Sequence, residues 1–339
     1  MTSTSVVILN WNGKHYMERF LPVLISFTDV PEVQIVVADN GSEDGSAEWI
    51  KENYPQILLL EFDANYGFTG GYNRALKQLD SDYFLLLNSD IEVTAGWITP
   101  LIRALDNNQN IGICMPKIKS AFDRDSFEYA GASGGFIDFF GYPFCRGRIL
   151  SNIERDNGQY DSDSEIFWAS GAAFMIRASL FRQLDGFDDL FFAHMEEVDL
   201  CWRAKLIGAG VWVLPESVVY HVGGGTLPNN SPRKLFFNYR NNLLMLYKNL
   251  PGKRLYPVLF IRMFMDAVSA FLYLLQGHKN FCKSVFKAHS SFFSIVKEKK
   301  VKRAGISGNV PGIYKGSIVF SFFATCKKLK FIDIGSKIR

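Results

Sequence analysis

Tyr83-Phe84-Leu85-Leu86-Leu87-Asn88-Ser89-Asp90 is the stretch on which the fold turns. Five apolar residues in succession, with no polar face, describe a strand buried on both sides, and such strands belong to sheets covered by helices. The run then gives way to three polar residues, so a carboxylate emerges where a core strand reaches the surface. On either side the chain repeats the theme. Short apolar runs at 5–10, 33–39, 57–62 and 111–116 alternate with amphipathic stretches at about 15–26, 46–54, 71–79 and 97–107. That alternation predicts an α/β domain with a mostly parallel central sheet flanked by helices. Three of the strands end in polar clusters: Asn10-Trp11-Asn12, Asp39-Asn40-Gly41-Ser42 and Asn88-Ser89-Asp90. Open parallel sheets bind ligands beyond the carboxyl ends of their strands, so these clusters are expected to share one crevice.

The later sequence is less regular. From 119 to 163 the periodicity fades into Gly, Asp, Phe and Arg, which predicts a variable connecting region. Order returns at 165–177, a strand interrupted by Ser170-Gly171-Ala172. A helix is expected from Glu196 or Glu197, strands at 211–214 and 218–221, and helical, basic sequence from about 231 to the end. This divides the chain into a domain at 1–240 and a helical, basic, Phe-rich extension at 241–339 that associates with membranes.

Composition narrows the class. With 339 residues, 48% of them hydrophobic and 30 of them Phe, the chain has ample material for a core, which excludes disorder. Five cysteines, odd in number and without a Cys-x-x-Cys pair, indicate neither a disulfide framework nor a zinc ribbon and suit a reducing compartment. The start at Met1 runs into Val6-Val7-Ile8-Leu9 without a leader, which predicts a cytoplasmic protein. The apolar run at 255–275 contains Pro257, Arg262 and Asp266. Each charge at a bilayer centre costs roughly 2.5–3.5 kcal/mol, so a buried or interfacial helix is expected rather than a spanning one. Arg262 and Asp266, four apart, share a helix face and can pair.

The net charge of +3 conceals an asymmetry: residues 276–339 carry 14 Lys and Arg against two acids, leaving −9 on the rest. Basic residues interleaved with Phe281, Phe286, Phe292, Phe293, Phe320, Phe322 and Phe323 are the composition expected of a segment lying on anionic lipid headgroups, with a plain solvated face or nucleic acid as the alternatives. No nucleic-acid motif accompanies them.

Chemistry concentrates at a few points. Asp90 is suited to hold a hard divalent cation, Mg²⁺ or Mn²⁺, which serves a diphosphate through one or two protein carboxylates; a turn residue capping the next helix is the alternative. Glu92 either assists or is surface. Asp39 is placed to accept from a base or a ribose, or to make an ordinary Asx turn. The run Asn65-Tyr66-Gly67-Phe68-Thr69-Gly70-Gly71-Tyr72-Asn73-Arg74 reads as a glycine-rich loop opening a helix, with backbone N–H groups and Arg74 available to an anion. In the 191–203 segment Asp199 and Arg203 form an i,i+4 pair. That leaves Glu196 and Glu197 as candidates to deprotonate an acceptor hydroxyl, or as simple N-terminal helix charges. His221 ends an apolar run before Gly223-Gly224-Gly225, either as a hydrogen-bonded strand residue or as a metal ligand beside a movable lid.

In this order, the motifs make the chain resemble the family 2 glycosyltransferases, particularly the bacterial rhamnosyltransferase-like branch that builds surface polysaccharides. The resemblance covers roughly residues 5–239. It rests on Asn10-Trp11-Asn12-Gly13, Val37 to Ser42, Asn65 to Phe68 with Gly71-Tyr72-Asn73, Leu87 to Asp90, Gly186-Phe187-Asp188, Glu196 to Arg203, and His221. It implies a GT-A fold and inverting transfer from a nucleoside diphosphate sugar, while the basic, Phe-rich tail suggests that the saccharide acceptor is presented at a membrane, polyprenyl-linked and at the cytoplasmic face of the plasma membrane. It further implies Asp39 as the acid that binds the base, Glu197 as general base with Glu196 beside it, and Asp90 and His221 as metal ligands. Asn10, Asn65, Gly67, Asn73, Arg74, Asn88 and Ser89 are expected around the donor. Two departures stand out: Asn88 occupies the first acid of the Asp-x-Asp motif, and Glu196-Glu197 replaces the usual Glu-Asp. The rival classes are a non-catalytic membrane-surface protein on the same frame and a nucleotidyltransferase.

Overall fold

The computed structural model describes residues 2–223, 231–298, 301–303 and 310–338. Its first half follows the predicted alternation: β1 (Thr4–Asn10), α1 (Lys14–Phe27), β2 (Val33–Asp39), α2 (Ser46–Asn53), β3 (Leu58–Glu61), α3 (Gly67–Lys77), β4 (Tyr83–Asn88), β5 (Ile91–Val93), α4 (Thr99–Asn107) and β6 (Ile111–Ser120). Strands β3, β2, β1 and β4 lie side by side and parallel. Phe84, Leu85 and Leu86 of β4 are wholly buried, as an apolar run without a polar face requires.

Beyond β4 the sheet changes direction. β12 (Ala173–Arg177) inserts antiparallel between β4 and β6, and β13 (Gly210–His221) then runs parallel to β6. The two strands expected at 211–214 and 218–221 are one, because the register slip between Leu214 and Val218 is a bulge around Pro215, which has no N–H for the ladder. On its outer side β13 pairs with β5 and with the two-residue β11 (Ser164–Glu165). The strand expected at 165–177 is therefore two, parted by 166–172. Helices α5 (Ala178–Gln183) and α6 (Glu196–Leu206) complete this domain.

The segment expected to be a mere connector forms a second sheet. β7 (Gly135–Asp138), β8 (Pro143–Cys145), β9 (Arg148–Ile149) and β10 (Asn152–Ile153) pair as successive antiparallel hairpins, too short to leave a period-two pattern.

The C-terminal part is helical through α7 (Pro232–Asn249), α8 (Gly252–Leu275) and α9 (Lys279–Lys297), but not to its end. β14 (Ile313–Tyr314) adds a parallel strand to β7, α10 (Ile318–Ala324) follows, and Phe331 packs against Phe136 and Phe144. Helices α7 to α9 pack on one another around a buried polar cluster. Arg262 Nε donates to Asp266 Oδ1 at 2.9 Å, making the expected pair, and its Nη1 donates to Asn242 Oδ1 at 2.7 Å. His289 Nε2 lies 3.2 Å from the other Asp266 oxygen.

Candidate active site

The crevice forms where β1, β2 and β4 end. Asn10 stands opposite Asp39 in the ladder, and Leu9 opposite Asn88. The Asn10 amide donates to Asp39 Oδ1 at 3.0 Å and to Ser46 Oγ at 2.8 Å, while Ser42 N donates to Asp39 Oδ2 at 2.9 Å. Asp39 is thus buried with both oxygens engaged, and of its roughly four lone-pair sites Oδ2 keeps one free for an incoming donor. Asn10 Oδ1, by contrast, is buried without a partner. In such an interior an unsatisfied carbonyl costs about 1–3 kcal/mol, which makes it the more available acceptor of the two.

The glycine-rich run departs from its expected form. From Gly67 to Arg74 it is about the first two turns of α3, and its leading amides are already taken: Gly67 N donates to Asn65 Oδ1 at 2.8 Å, and Phe68 N to the Phe192 carbonyl at 2.8 Å. The glycines serve packing instead. A Cβ on Gly71 would stand 2.7 Å from Leu9 Cδ1, and Gly67, at φ +71°, would meet the Phe192 ring at 2.6 Å. Arg74 is not held out for an anion either; its guanidinium lies 3.4 Å from the centroid of Tyr66 and donates to the Gly70 carbonyl. Asn73 binds both backbone groups of Phe187, at 2.9 Å each, which ties α3 to the Gly186-Phe187-Asp188 turn.

Asp90 and His221 meet although 131 residues separate them, because β5 pairs β13 with His221 opposite Ile91. His221 Nε2 lies 3.2 Å from Asp90 Oδ1, and Nδ1 lies 3.4 Å from Glu128 Oε1. All three are buried. Burial opposes charge on the imidazole, but the two carboxylates outweigh it and push its pKa up to about 10. Burial likewise opposes ionisation of Asp90, yet the contact with His221 holds its carboxyl below the ordinary range. Among the described residues no group of three or more His, Cys, Asp or Glu forms a ready metal cage. The donor set nevertheless fits a sparse site. A divalent cation would replace the proton shared by Nε2 and Asp90, leaving Glu128 behind Nδ1 as the carboxylate that orients a metal-binding imidazole. Gly224 and Gly225 of the expected lid lie outside the described residues. Glu92 pairs with Arg124 at 2.8 Å, away from this cluster.

Glu196 and Glu197 open α6. Each has one buried oxygen, Oε2, with no hydrogen-bond partner. Burial is the main influence on both: it pushes Glu197 up to about 7, and Glu196, with the charge of Glu197 beside it, well above the ordinary range. Glu197 faces the 170–172 turn, where a Cβ on Gly171 would lie 3.8 Å from its Cβ. In the same turn the Ala172 carbonyl accepts from the backbone N–H of Asn88 at 2.9 Å, so Glu197 borders the crevice at the end of β4. Asp199 and Arg203 pair at 2.8 Å as expected, and Lys248 of α7 reaches Asp199 at 3.0 Å.

Two residues had escaped the sequence reading. Glu128 lies in the aperiodic stretch and carries no pattern at all. Asn241 left a faint signal, a pair of amides beside the apolar run from Leu243 to Tyr247. Its buried Nδ2 lies within 2.7–2.9 Å of the carbonyls of Phe191, Ala193 and His194, while Arg240 Nε donates to its Oδ1 at 2.8 Å and fixes the amide's orientation. The backbone so held is strained, with φ of 63°, 70° and 71° at Phe192, His194 and Met195, directly before the two glutamates. Asn241→Asp, which turns a carboxylate on three carbonyls, should destabilise the fold by about 1–3 kcal/mol and lower kcat more than it raises KM. Chemical denaturation and steady-state kinetics measure the two effects.

The profile of "Glycosyl transferase family 2" matches residues 5–185. The chain is 30% identical over 240 residues to the N-acetylglucosaminyl-diphospho-decaprenol L-rhamnosyltransferase of Mycobacterium tuberculosis, covering 65% of this chain and 76% of that one. It is 23% identical to the rhamnosyltransferase WbbL of Escherichia coli, covering 74% and 93%. Among solved structures, GalNAc-T7 with UDP, GalNAc and Mn²⁺ superposes with a TM-score of 0.59 at 14% identity, covering 88% of this chain and 58% of that one.

Proposed function

Because the chain belongs to glycosyl transferase family 2, in its rhamnosyltransferase-like branch and with a GT-A fold, we propose that it transfers a hexosyl or deoxyhexosyl group from a nucleoside diphosphate sugar to a lipid-linked saccharide, with inversion. The observation that carries this reading is the partnerless Glu197 oxygen at the edge of the crevice, on a carboxyl whose pKa lies near neutrality. Glu197 takes the proton of the acceptor hydroxyl as its oxygen attacks the anomeric carbon from the face opposite the diphosphate. The C–O bond to the diphosphate breaks as the new glycosidic bond forms. Asp90 and His221, the imidazole oriented by Glu128, would hold Mg²⁺ or Mn²⁺. When bound, that ion neutralises the charge that develops on the leaving diphosphate. Asn10 and Asp39 face the nucleoside, and Asn88 and Ser89 line the crevice between base and metal. Asn65, Gly67, Asn73 and Arg74 belong to this donor side by supporting its wall.

A relative named for a diphospho-decaprenol acceptor supports the lipid-linked substrate and, with the basic C-terminal segment, a peripheral location on the inner face of the plasma membrane. Incubation with nucleotide sugars, Mn²⁺ and a polyprenyl-diphosphate saccharide should release free nucleoside diphosphate and lengthen the acceptor. Formation of nucleoside triphosphate and sugar 1-phosphate when pyrophosphate is added to the nucleotide sugar would identify a nucleotidyltransferase, and no reaction with any donor would identify a binding protein.

A further inference from the structure

Helix α8 presents two unlike faces. Arg262 and Asp266, its ionic residues beyond the first turn, point into the protein and are almost fully buried. The opposite arc carries Tyr256, Phe260, Phe264, Phe271 and Leu275, which are 59–75% exposed. At 100° per residue these five fall within about 100° of one another, so they form one stripe along a helix roughly 36 Å long. Apart from the Tyr256 hydroxyl, the stripe offers no hydrogen-bonding side chain and no charge. An apolar face of this extent marks a surface that something covers.

The charges around it indicate what. Exposed Lys279, Lys283 and Lys287 lie four residues apart on neighbouring α9 and so form a second, cationic stripe; Lys253 stands at the head of α8. A second copy of this chain would bring its own lysines against the first set, whereas anionic lipid headgroups would meet them with opposite charge. Of the Phe-rich tail, Phe292 and Phe322 are buried and Phe331 packs on the second sheet, while Phe286, Phe293, Phe320 and Phe323 stay exposed but form no stripe as long as that of α8. We propose that the outward face of α8 seats the protein on an anionic bilayer, the helix lying in the plane of the interface with its aromatic side chains in the acyl boundary and the α9 lysines on the headgroups.

This deepens the proposed peripheral location, but the test separates the two. The full-length protein is sedimented with phosphatidylglycerol/phosphatidylcholine vesicles and with phosphatidylcholine vesicles, without donor or acceptor. Wild type should bind the anionic vesicles more strongly, and added salt should weaken that binding. The double variant Phe260→Ser/Phe264→Ser should lose at least about tenfold in partitioning, and Lys279→Gln/Lys283→Gln/Lys287→Gln should abolish the preference for anionic lipid. Both should keep wild-type release of nucleoside diphosphate with a detergent-solubilised acceptor. If the serine variant misfolds, Phe271→Ser alone makes the same prediction at smaller amplitude. Equal binding by wild type and variants, no binding by wild type, or a wild-type dimer that the serine pair dissociates would each overturn the proposal. Loss of transfer with normal vesicle binding would instead count against the enzymatic reading.

Discussion

Glu197→Gln should lower turnover by about 10²–10⁴-fold and leave the affinity for nucleoside diphosphate unchanged. Glutamine preserves the shape of the side chain at the start of α6 but cannot take a proton, so the loss falls on kcat. Wild-type activity should rise with pH through about 7, where the base ionises, and that limb should vanish in the residual activity of the variant. Stability moves the other way. Burial raises this carboxyl above its unfolded value, so its favourable contribution is full below the ordinary glutamate range and is lost as pH climbs through about 7. The variant should therefore melt at a higher temperature than wild type at pH 8, with the difference shrinking toward pH 4. Thermal scans at the two pH values, alongside initial rates, test both signs. Unchanged turnover would exclude Glu197 as the base and transfer the role to Glu196.

Removing His221 should have the second large effect. His221→Ala leaves Asp90 and Glu128 as neighbouring buried carboxylates without their bridging imidazole, so the proposed cation site would lose one of its two protein donors. Mn²⁺-dependent binding of a nucleoside diphosphate should weaken by about 100-fold or more, and turnover should fall with it at subsaturating metal. Glu128→Gln, which removes only the carboxylate behind the imidazole, should cost about 10–100-fold in metal affinity. Titration of Mn²⁺ at fixed nucleotide, followed by the signal of the free ion, orders the three proteins. An unaltered metal requirement in His221→Ala would show that Asp90 and the diphosphate suffice.

How much of this was legible follows from where the information resides. Buried strands such as β4 announce themselves because a double-sided core admits few polar residues, and the polar clusters at their ends follow from sheet geometry. Asp90 and His221 could be singled out one at a time, but only the β5–β13 pairing brings them together. The same holds more strongly for Glu128, whose segment forms strands of two to four residues that leave no periodicity. The glycine-rich run misled in an instructive way. Gly67 and Gly71 fit a phosphate cradle in sequence, yet each is required by a close approach, to Phe192 and to Leu9 respectively. Glycine records proximity without saying what is near. Asn241 lay beyond the motifs altogether, since its role depends on a backbone kink 47 to 50 residues earlier.

The pairing of β14 with β7 bears on how the protein is born. Ile137 and Tyr314 belong to partner strands that leave the ribosome far apart in time, at about 5–20 residues per second. Until residues 313–314 emerge, that edge of β7 is covered only at Gly135, by its bridge to Trp168, and Ile137 and Asp138 are left without their strand partner. Truncation ahead of residue 313 would thus leave this seam of the second sheet exposed. Such a product should accumulate in aggregates rather than as a soluble, partly active species.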